Sequence, residues 1–252
     1  RYGEEDRRGN RRAAGVAVKI ALVGNPNVGK SAVFNRLTGA SVIVSNYPGT
    51  TVEFTRGTLR AGGRRIEVVD LPGTYSLDTT CKAEEVAARE IADLAADDVI
   101  LNVVDSTNLE RNLGLTLQLT RLRRPMVVAL NLWDEAKHTG VQIDVPALER
   151  ELGVACVPLV AITGEGMKGL VERVTQAAAP TRDFDDSQRW REVGRILAVA
   201  QKLTHRHHTF LERLGDASLR PVAGSAIATL VLGLSLAAIR LVGEGLISHV
   251  FE

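Results

Sequence analysis

The stretch GNPNVGKSAVFNRLTG, Gly24 to Gly39, follows directly on the apolar, β-branched run of residues 16–23. Its first eight residues fit G-x-x-x-x-G-K-[ST], with a strand pattern before it and a helix pattern after it, as that motif requires. Gly24 and Gly29 let the backbone curl until successive N–H groups face a phosphate, and a helix starting near Lys30 adds the positive end of its dipole. Lys30 reaches toward the β- and γ-phosphates, and the Ser31 hydroxyl is a ligand for Mg²⁺. The expected nucleotide-binding segment is therefore Gly24, Asn25, Pro26, Asn27, Val28, Gly29, Lys30, Ser31 and Ala32.

Outward from the loop, strand-like runs at residues 66–70, 99–105, 126–131 and 156–160 alternate with helical patterns at 30–38, 83–95, 109–122, 145–152 and 168–179. Such alternation predicts an α/β fold with a mostly parallel, doubly wound sheet. Gly62-Gly63, between residues 51–59 and 66–69, predicts one antiparallel hairpin within it. The globular part is expected to close near Pro180, giving a nucleotide-binding domain over residues 16–180.

Two further elements choose the nucleotide. In DLPGT, Asp70 to Thr74, the carboxylate of Asp70 is placed for the magnesium shell and the Gly73 amide for the γ-phosphate, so that loss of this phosphate releases the loop. After the apolar strand at 126–131, Asn131 and Asp134 form N-x-x-D. A carboxylate at Asp134 accepts both guanine N1–H and N2–H, a donor pair that adenine lacks, so GTP is favoured over ATP.

The 252 residues suffice for one domain of ordinary size and a smaller appendage. A net charge of +1 gives no bulk attraction to polyanions, and neither a basic groove nor an aromatic stacking surface is legible, so no nucleic-acid partner is expected. Cys81 and Cys156, with no second pair, read as reduced, buried thiols. Residues 1–15 read as a disordered basic leader, and the chain, starting at Arg1 and stopping just after an apolar segment, as a piece of a longer protein.

After the globular part, TRDFDD at 181–186 reads as a hinge and residues 190–214 as an amphipathic helical pair or one long helix, together a spacer over 181–219. Residues 222–239 carry no charge, a length at the lower edge for a membrane span, so 220–252 reads as the start of a membrane domain. Seven Arg or Lys against three acids in residues 187–221 place the N-terminal side in the cytoplasm. His205, His207 and His208 lie in a basic flank that repels cations and are taken as a solvated or headgroup-facing patch.

Together, GNPNVGKSAVFNRLTG, NYPGTTVEFTRG, DLPGTYSL, NLWDEA and VPLVAITGEGMKGL resemble the cytoplasmic G domain of the FeoB family of prokaryotic ferrous-iron transporters, a branch of the Ras-like GTPases. The resemblance runs from Ala17 to the C-terminus. It implies a slow, K⁺-stimulated hydrolysis of GTP to GDP and phosphate, regulating or driving Fe²⁺ uptake at the cytoplasmic membrane. It further implies small accessory Feo proteins and a homo-oligomer as partners, besides the transporter's own membrane domain.

Residue by residue, Thr51 matches the switch I threonine that caps Mg²⁺ and the γ-phosphate, with Thr50 beside it as the alternative. Asn27 matches the residue that holds K⁺ beside the phosphates, where a cation does the work of an arginine finger; its other reading is a turn former. Lys30, Asn27, Thr51 and Gly73 are thus the expected catalytic set, and Ser31, Thr51 and Asp70 the Mg²⁺ set.

The chain also departs from Ras-like sequences. Leu132 and Trp133 stand where a Lys is usual, which implies weaker binding and fast exchange. VAITG lacks the serine of the fifth motif, leaving the backbone amides of Ala161, Ile162 and Thr163 to meet guanine. Thr74 stands where Ras-like enzymes carry the water-orienting Gln. Two rivals remain at this stage: a soluble potassium-activated GTPase of ribosome assembly or tRNA modification, and a nonhydrolysing switch.

Overall fold

The structure, a computed structural model, describes residues 16–39, 42–46, 53–78, 82–203, 215 and 217–250. The chain divides into two compact units, Arg1–Thr204 and His205–Glu252. Strands of the first unit are β1 (Val16–Val23), β2 (Val42–Asn46), β3 (Glu53–Ala61), β4 (Arg64–Asp70), β5 (Val99–Asp105), β6 (Met126–Asn131), β7 (Val141–Ile143), β8 (Ala155–Pro158) and β9 (Gln201–Leu203). Its helices are α1 (Lys30–Thr38), α2 (Lys82–Ala92), α3 (Leu109–Thr120), α4 (Trp133–His138), α5 (Val145–Leu152), α6 (Met167–Thr175) and α7 (Arg189–Ala200).

Seven strands form one sheet in the order β2-β3-β4-β1-β5-β6-β8, and β7 pairs with β9 as a separate ribbon. The pairings of β1 with β4 and β5, of β5 with β6, and of β6 with β8 are parallel. The hairpin β3–β4 is antiparallel, as expected, and Gly62 and Gly63 at its turn have φ of 56° and 71°. Two successive positive φ values describe the tight turn that matches the twist of the strands.

Alternation along the central strands divides the core into two layers. Ala21 and Val23 face α3, α5 and α7 with Leu113, Leu117, Leu148 and Ile196. Ile20 and Leu22 face α1 and α6 with Val33, Phe34, Leu37 and Leu170. Residues of β5 and β6 are buried on both faces, the pattern of strands covered by helices on either side. The leucines of α3 at 109, 113, 115, 117 and 119 are all core, whereas Leu122 lies beyond the last turn and is exposed.

The register places the functional segments together. Leu22 pairs with Asp70, Val23 with Asn102, and Asp105 with Asn131. The ends of β1, β4 and β6 therefore open on one edge of the sheet. β1 is also where the strand order reverses direction, the position at which open α/β sheets bind ligands.

Several expectations need correction beyond Pro180. The hinge expected at 181–186 is packed down: Phe184 is buried in the core, and Thr181 N–H donates to the Gly153 carbonyl at 3.1 Å. A single helix over 190–214 is excluded, because the described helix ends at Ala200 and the chain turns into β9, which pairs with β7; residues 204–214, where the second helix of a pair would fall, lie outside the described residues. β2, β7 and β9 were not read from the sequence, because three to five residues carry too few alternations to register.

Cys156 is buried, and burial pushes its thiol well above the ordinary range, as a structural thiol requires. Cys81, the leader and the three histidines lie outside the described residues. In the second unit, α8 (Pro221–Val250) is one helix of 30 residues, and its segment Pro221–Arg240 is long and apolar enough to cross a membrane.

Candidate nucleotide-binding site

The phosphate loop leaves β1 at Val23 and enters α1 at Lys30. Two of its residues are left-handed, Asn27 at φ 65° and Gly29 at φ 83°. The turn thus needs Asn at position 27 for its backbone, and the side chain remains exposed. Gly24 is fixed by packing, since a Cβ there would lie 2.4 Å from the Val103 carbonyl oxygen. Asn25 is turned into the scaffold, where its Nδ2 donates to the Arg111 carbonyl at 3.1 Å.

Asp70, at the end of β4, holds both polar groups of the loop. Lys30 Nζ lies 2.8 Å from its Oδ1, and Ser31 Oγ donates to its Oδ2 at 3.0 Å. The lysine and aspartate side chains are only 12% and 10% exposed, so the pair is sheltered from water and from salt. A hydroxyl and a carboxylate side by side are the hard oxygen donors that Mg²⁺ takes, and they fit that ion.

The DxPG segment leans on the same loop. Thr74 N–H donates to the Gly24 carbonyl at 3.1 Å, and a Cβ on Gly73 would lie 3.1 Å from Pro26 Cα. Thr74 itself is buried, its hydroxyl directed to the Ser76 carbonyl at 2.5 Å and to Glu84 at 3.4 Å. It is therefore unavailable to orient a water.

Further along, Gln118 of α3 clamps the segment: its Oε1 accepts from Leu77 N–H at 2.9 Å and from Ser76 Oγ at 3.1 Å. Its Nε2 donates to Asp78 at 3.1 Å. Asp78 also lies 3.6 Å from Arg189 at the start of α7. Hydrogen bonds from Ser76 and Gln118, aided by Arg189, hold the Asp78 carboxyl below the usual range. Gln118 was missed in the sequence; its only signal is a long polar side chain inside a run of leucines.

At the end of β6, Asn131 is 2% exposed and ties the loops together. Its Nδ2 donates to the Val28 carbonyl at 2.9 Å, and its Oδ1 accepts from Ala161 N–H at 3.0 Å. Leu132 then takes φ 58° and α4 begins, leaving Asp134 exposed in its first turn. A carboxylate in that place is free to meet a base edge from solvent. Of the fifth-motif residues, Ala161 is buried with its amide committed to Asn131, while Ile162 and Thr163 are exposed. Thr51 and its alternative Thr50 lie outside the described residues.

Fold and site define a phosphate-loop G domain of the GTPase class. A family model described as "Ferrous iron transport protein B" matches residues 18–174, and the chain belongs to that family, FeoB. Among curated relatives, the chain is 46% identical over 158 residues to an Fe(2+) transport protein A/Fe(2+) transporter FeoB fusion protein of Porphyromonas gingivalis. That alignment covers 63% of this chain and 19% of the relative. It is 49% identical over 156 residues to the Fe(2+) transporter FeoB of Salmonella typhimurium, covering 60% and 20%. The chain thus spans about a fifth of the length of these relatives.

Among solved structures, the cytosolic domain of L. pneumophila FeoB matches with a TM-score of 0.68 at 32% identity, covering 73% of this chain and all of that one. The cytosolic domain of the T. maritima FeoB iron transporter in its GMPPNP form matches with a TM-score of 0.62 at 30% identity, covering 79% and 91%.

Proposed function

We propose that this chain binds GTP and hydrolyses it slowly, as the nucleotide-dependent part of a ferrous-iron transporter of the cytoplasmic membrane. The observation that carries the nucleotide reading is the Asp70 carboxylate, which gathers Lys30 and Ser31 where the phosphate loop meets the DxPG segment. The iron reading rests on the family and on the ferrous-iron transporters among its relatives.

In this reading, residues 16–180 are the G domain, 181–219 a spacer and 220–252 the start of the membrane part. Lys30 leaves Asp70 for the β- and γ-phosphates when nucleotide binds, and Ser31 and Asp70 hold Mg²⁺ with Thr51 from switch I. The ion supplies charge neutralisation at the phosphates. Gly73 presents its amide to the γ-phosphate, and Asp134 reads the guanine edge. Asn27 holds K⁺, and hydrolysis is slow because Thr74 is buried away from any water to be activated.

The segment Ser76–Asp78 carries the change of state onward, through Gln118 to α3 and through Asp78 to Arg189 of α7. Its destination is the transporter's membrane domain, with Fe²⁺ as cargo and with accessory Feo proteins and further copies of the chain as partners.

The test is GTP turnover by the 252-residue chain in detergent with Mg²⁺, in KCl and in NaCl of equal ionic strength, with ATP as competitor. Expected are turnover that ATP does not suppress, a rise in K⁺, and loss of that rise in Asn27→Ala. Suppression by ATP equal to that by unlabelled GTP overturns the guanine reading. Equal turnover in both salts removes the potassium role alone.

A further inference from the structure

Arg36 lies on the last turn of α1, the helix that begins at the phosphate loop. Its Nε donates to the Ala161 carbonyl at 3.0 Å, and one of its terminal nitrogens donates to the Ile162 carbonyl. These partners stand 125 and 126 residues further along the chain, in the loop of the fifth motif. The loop is closed at its base by Val160 N–H to the Glu165 carbonyl at 3.0 Å and Gly164 N–H to the Val160 carbonyl at 2.8 Å. Its tip has little packing to hold it, because the Ile162 side chain is 75% exposed. Gly164, at φ 89°, lies beside the guanidinium, where a Cβ would fall 3.7 Å from an Arg36 terminal nitrogen, at ordinary contact distance.

We propose that Arg36 is a positioning residue for the base, aiming the backbone N–H groups of Ile162 and Thr163 at the guanine carbonyl by holding the two carbonyls behind them. This rests on the guanine-nucleotide reading above. A trans peptide unit is planar, with its C=O and N–H on opposite sides. The Ala161 carbonyl shares its unit with the Ile162 N–H, and the Ile162 carbonyl shares its unit with the Thr163 N–H. Fixing both carbonyls on Arg36 therefore fixes both amides on the far side of the loop. The third amide, that of Ala161, is already directed to Asn131.

A guanidinium suits the task because its donors form one rigid fork, so two consecutive carbonyls are set by a single group. The arrangement supplies from α1 the support that a serine in the loop would otherwise give. Its effect on specificity follows from the base: guanine offers the acceptor O6 where adenine offers an amino group. Amides aimed at that position attract the first and repel the second.

The experiment uses the 252-residue chain in dodecyl maltoside and measures affinity and release of GDP and of 6-thio-GDP, in which sulfur, a weak acceptor, replaces O6. Arg36→Ala is expected to weaken GDP by roughly tenfold, through faster release, and 6-thio-GDP by less than about threefold. The melting temperature of the nucleotide-free protein is expected to stay within about 2 °C, as for an exposed site. Arg36→Lys, a point charge without the fork, restores only part of the loss.

Equal weakening of both ligands, or no weakening of GDP, overturns the proposal. Because the comparison is between two ligands on one protein, a general loss of stability cancels, and Arg36→Gln gives the same ratio should the alanine variant fold poorly. Wild-type protein that binds ADP as tightly as GDP overturns the guanine reading and this inference with it. Wild type selective for GDP with an unchanged ligand ratio in the variants overturns the inference alone.

Discussion

Asn131 Nδ2 donates to the Val28 carbonyl at 2.9 Å, so the end of β6, just before α4, is tied to the middle of the phosphate loop. The Oδ1 of the same side chain accepts from Ala161, and a Cβ on Gly29 would fall 2.2 Å from Nδ2. One buried amide thus sets the spacing between the phosphate loop and the loop that begins at Ala161.

Replacing it with alanine leaves a carbonyl and an N–H unpaired in a dry place. Asn131→Ala is expected to cost about 1–3 kcal/mol of stability and to weaken GDP by more than tenfold. Thermal denaturation and nucleotide titration check the two parts separately.

Asp134, proposed above to read the guanine edge, is exposed in the first turn of α4. An amide there offers a donor where the carboxylate offered an acceptor. Asp134→Asn is expected to lose GDP by a hundredfold or more, on the order seen when a buried polar group is mismatched, and to gain xanthosine diphosphate, whose O2 accepts. Competition between the two nucleotides reads the switch directly.

Gln118 makes three hydrogen bonds to Ser76, Leu77 and Asp78 from its place between Leu117 and Leu119 of α3. Leucine fits the volume but makes none of them. Gln118→Leu is expected to cost about 1–2 kcal/mol and to raise amide exchange at Leu77 above that of the neighbouring β4. Unchanged exchange there would remove Gln118 as the clamp of this segment.

Glu151, at the end of α5, lies 2.7 Å from Arg195 and 3.2 Å from Arg182. The hydrogen bond from Arg195, with the charges of Arg182 and Arg195, holds its carboxyl below the usual range. A depressed folded value means the contribution is complete above the ordinary glutamate pKa of about 4.3 and is lost as pH falls through the folded value. Glu151→Gln is therefore expected to melt below wild type at pH 7, with the gap closing below about pH 4. Melting curves at pH 7, 5 and 3.5 measure it.

Legibility in the sequence followed the length and chemistry of each signal. β1, β5 and β6 are mostly apolar runs of six to eight residues and the phosphate loop has fixed spacing, so sheet, loop and the places of Asp70 and Asn131 were all readable. What escaped depends on partners distant in the chain. β9 is a strand only because Val141–Ile143 offers an edge, and Phe184 is core only because α7 folds back beside α5. Arg36 and Gln118 lie on helices whose own pattern is satisfied without them, and only the folded loops give them a role. Asn25 belonged to the motif by position, yet its side chain serves α3.

The ribbon of β7 and β9 has a mechanical consequence. It holds three residue pairs, Val141 with Leu203, Gln142 with Lys202 and Ile143 with Gln201, and a two-stranded ribbon of that size is marginal by itself. Val141–Leu203 is the pair nearest the C-terminal end of β9, so it is the first that a pull on the chain beyond Leu203 would load. A pull on the chain from that side would therefore open these three pairs before it reached the seven-stranded sheet that carries Asp70 and Asn131.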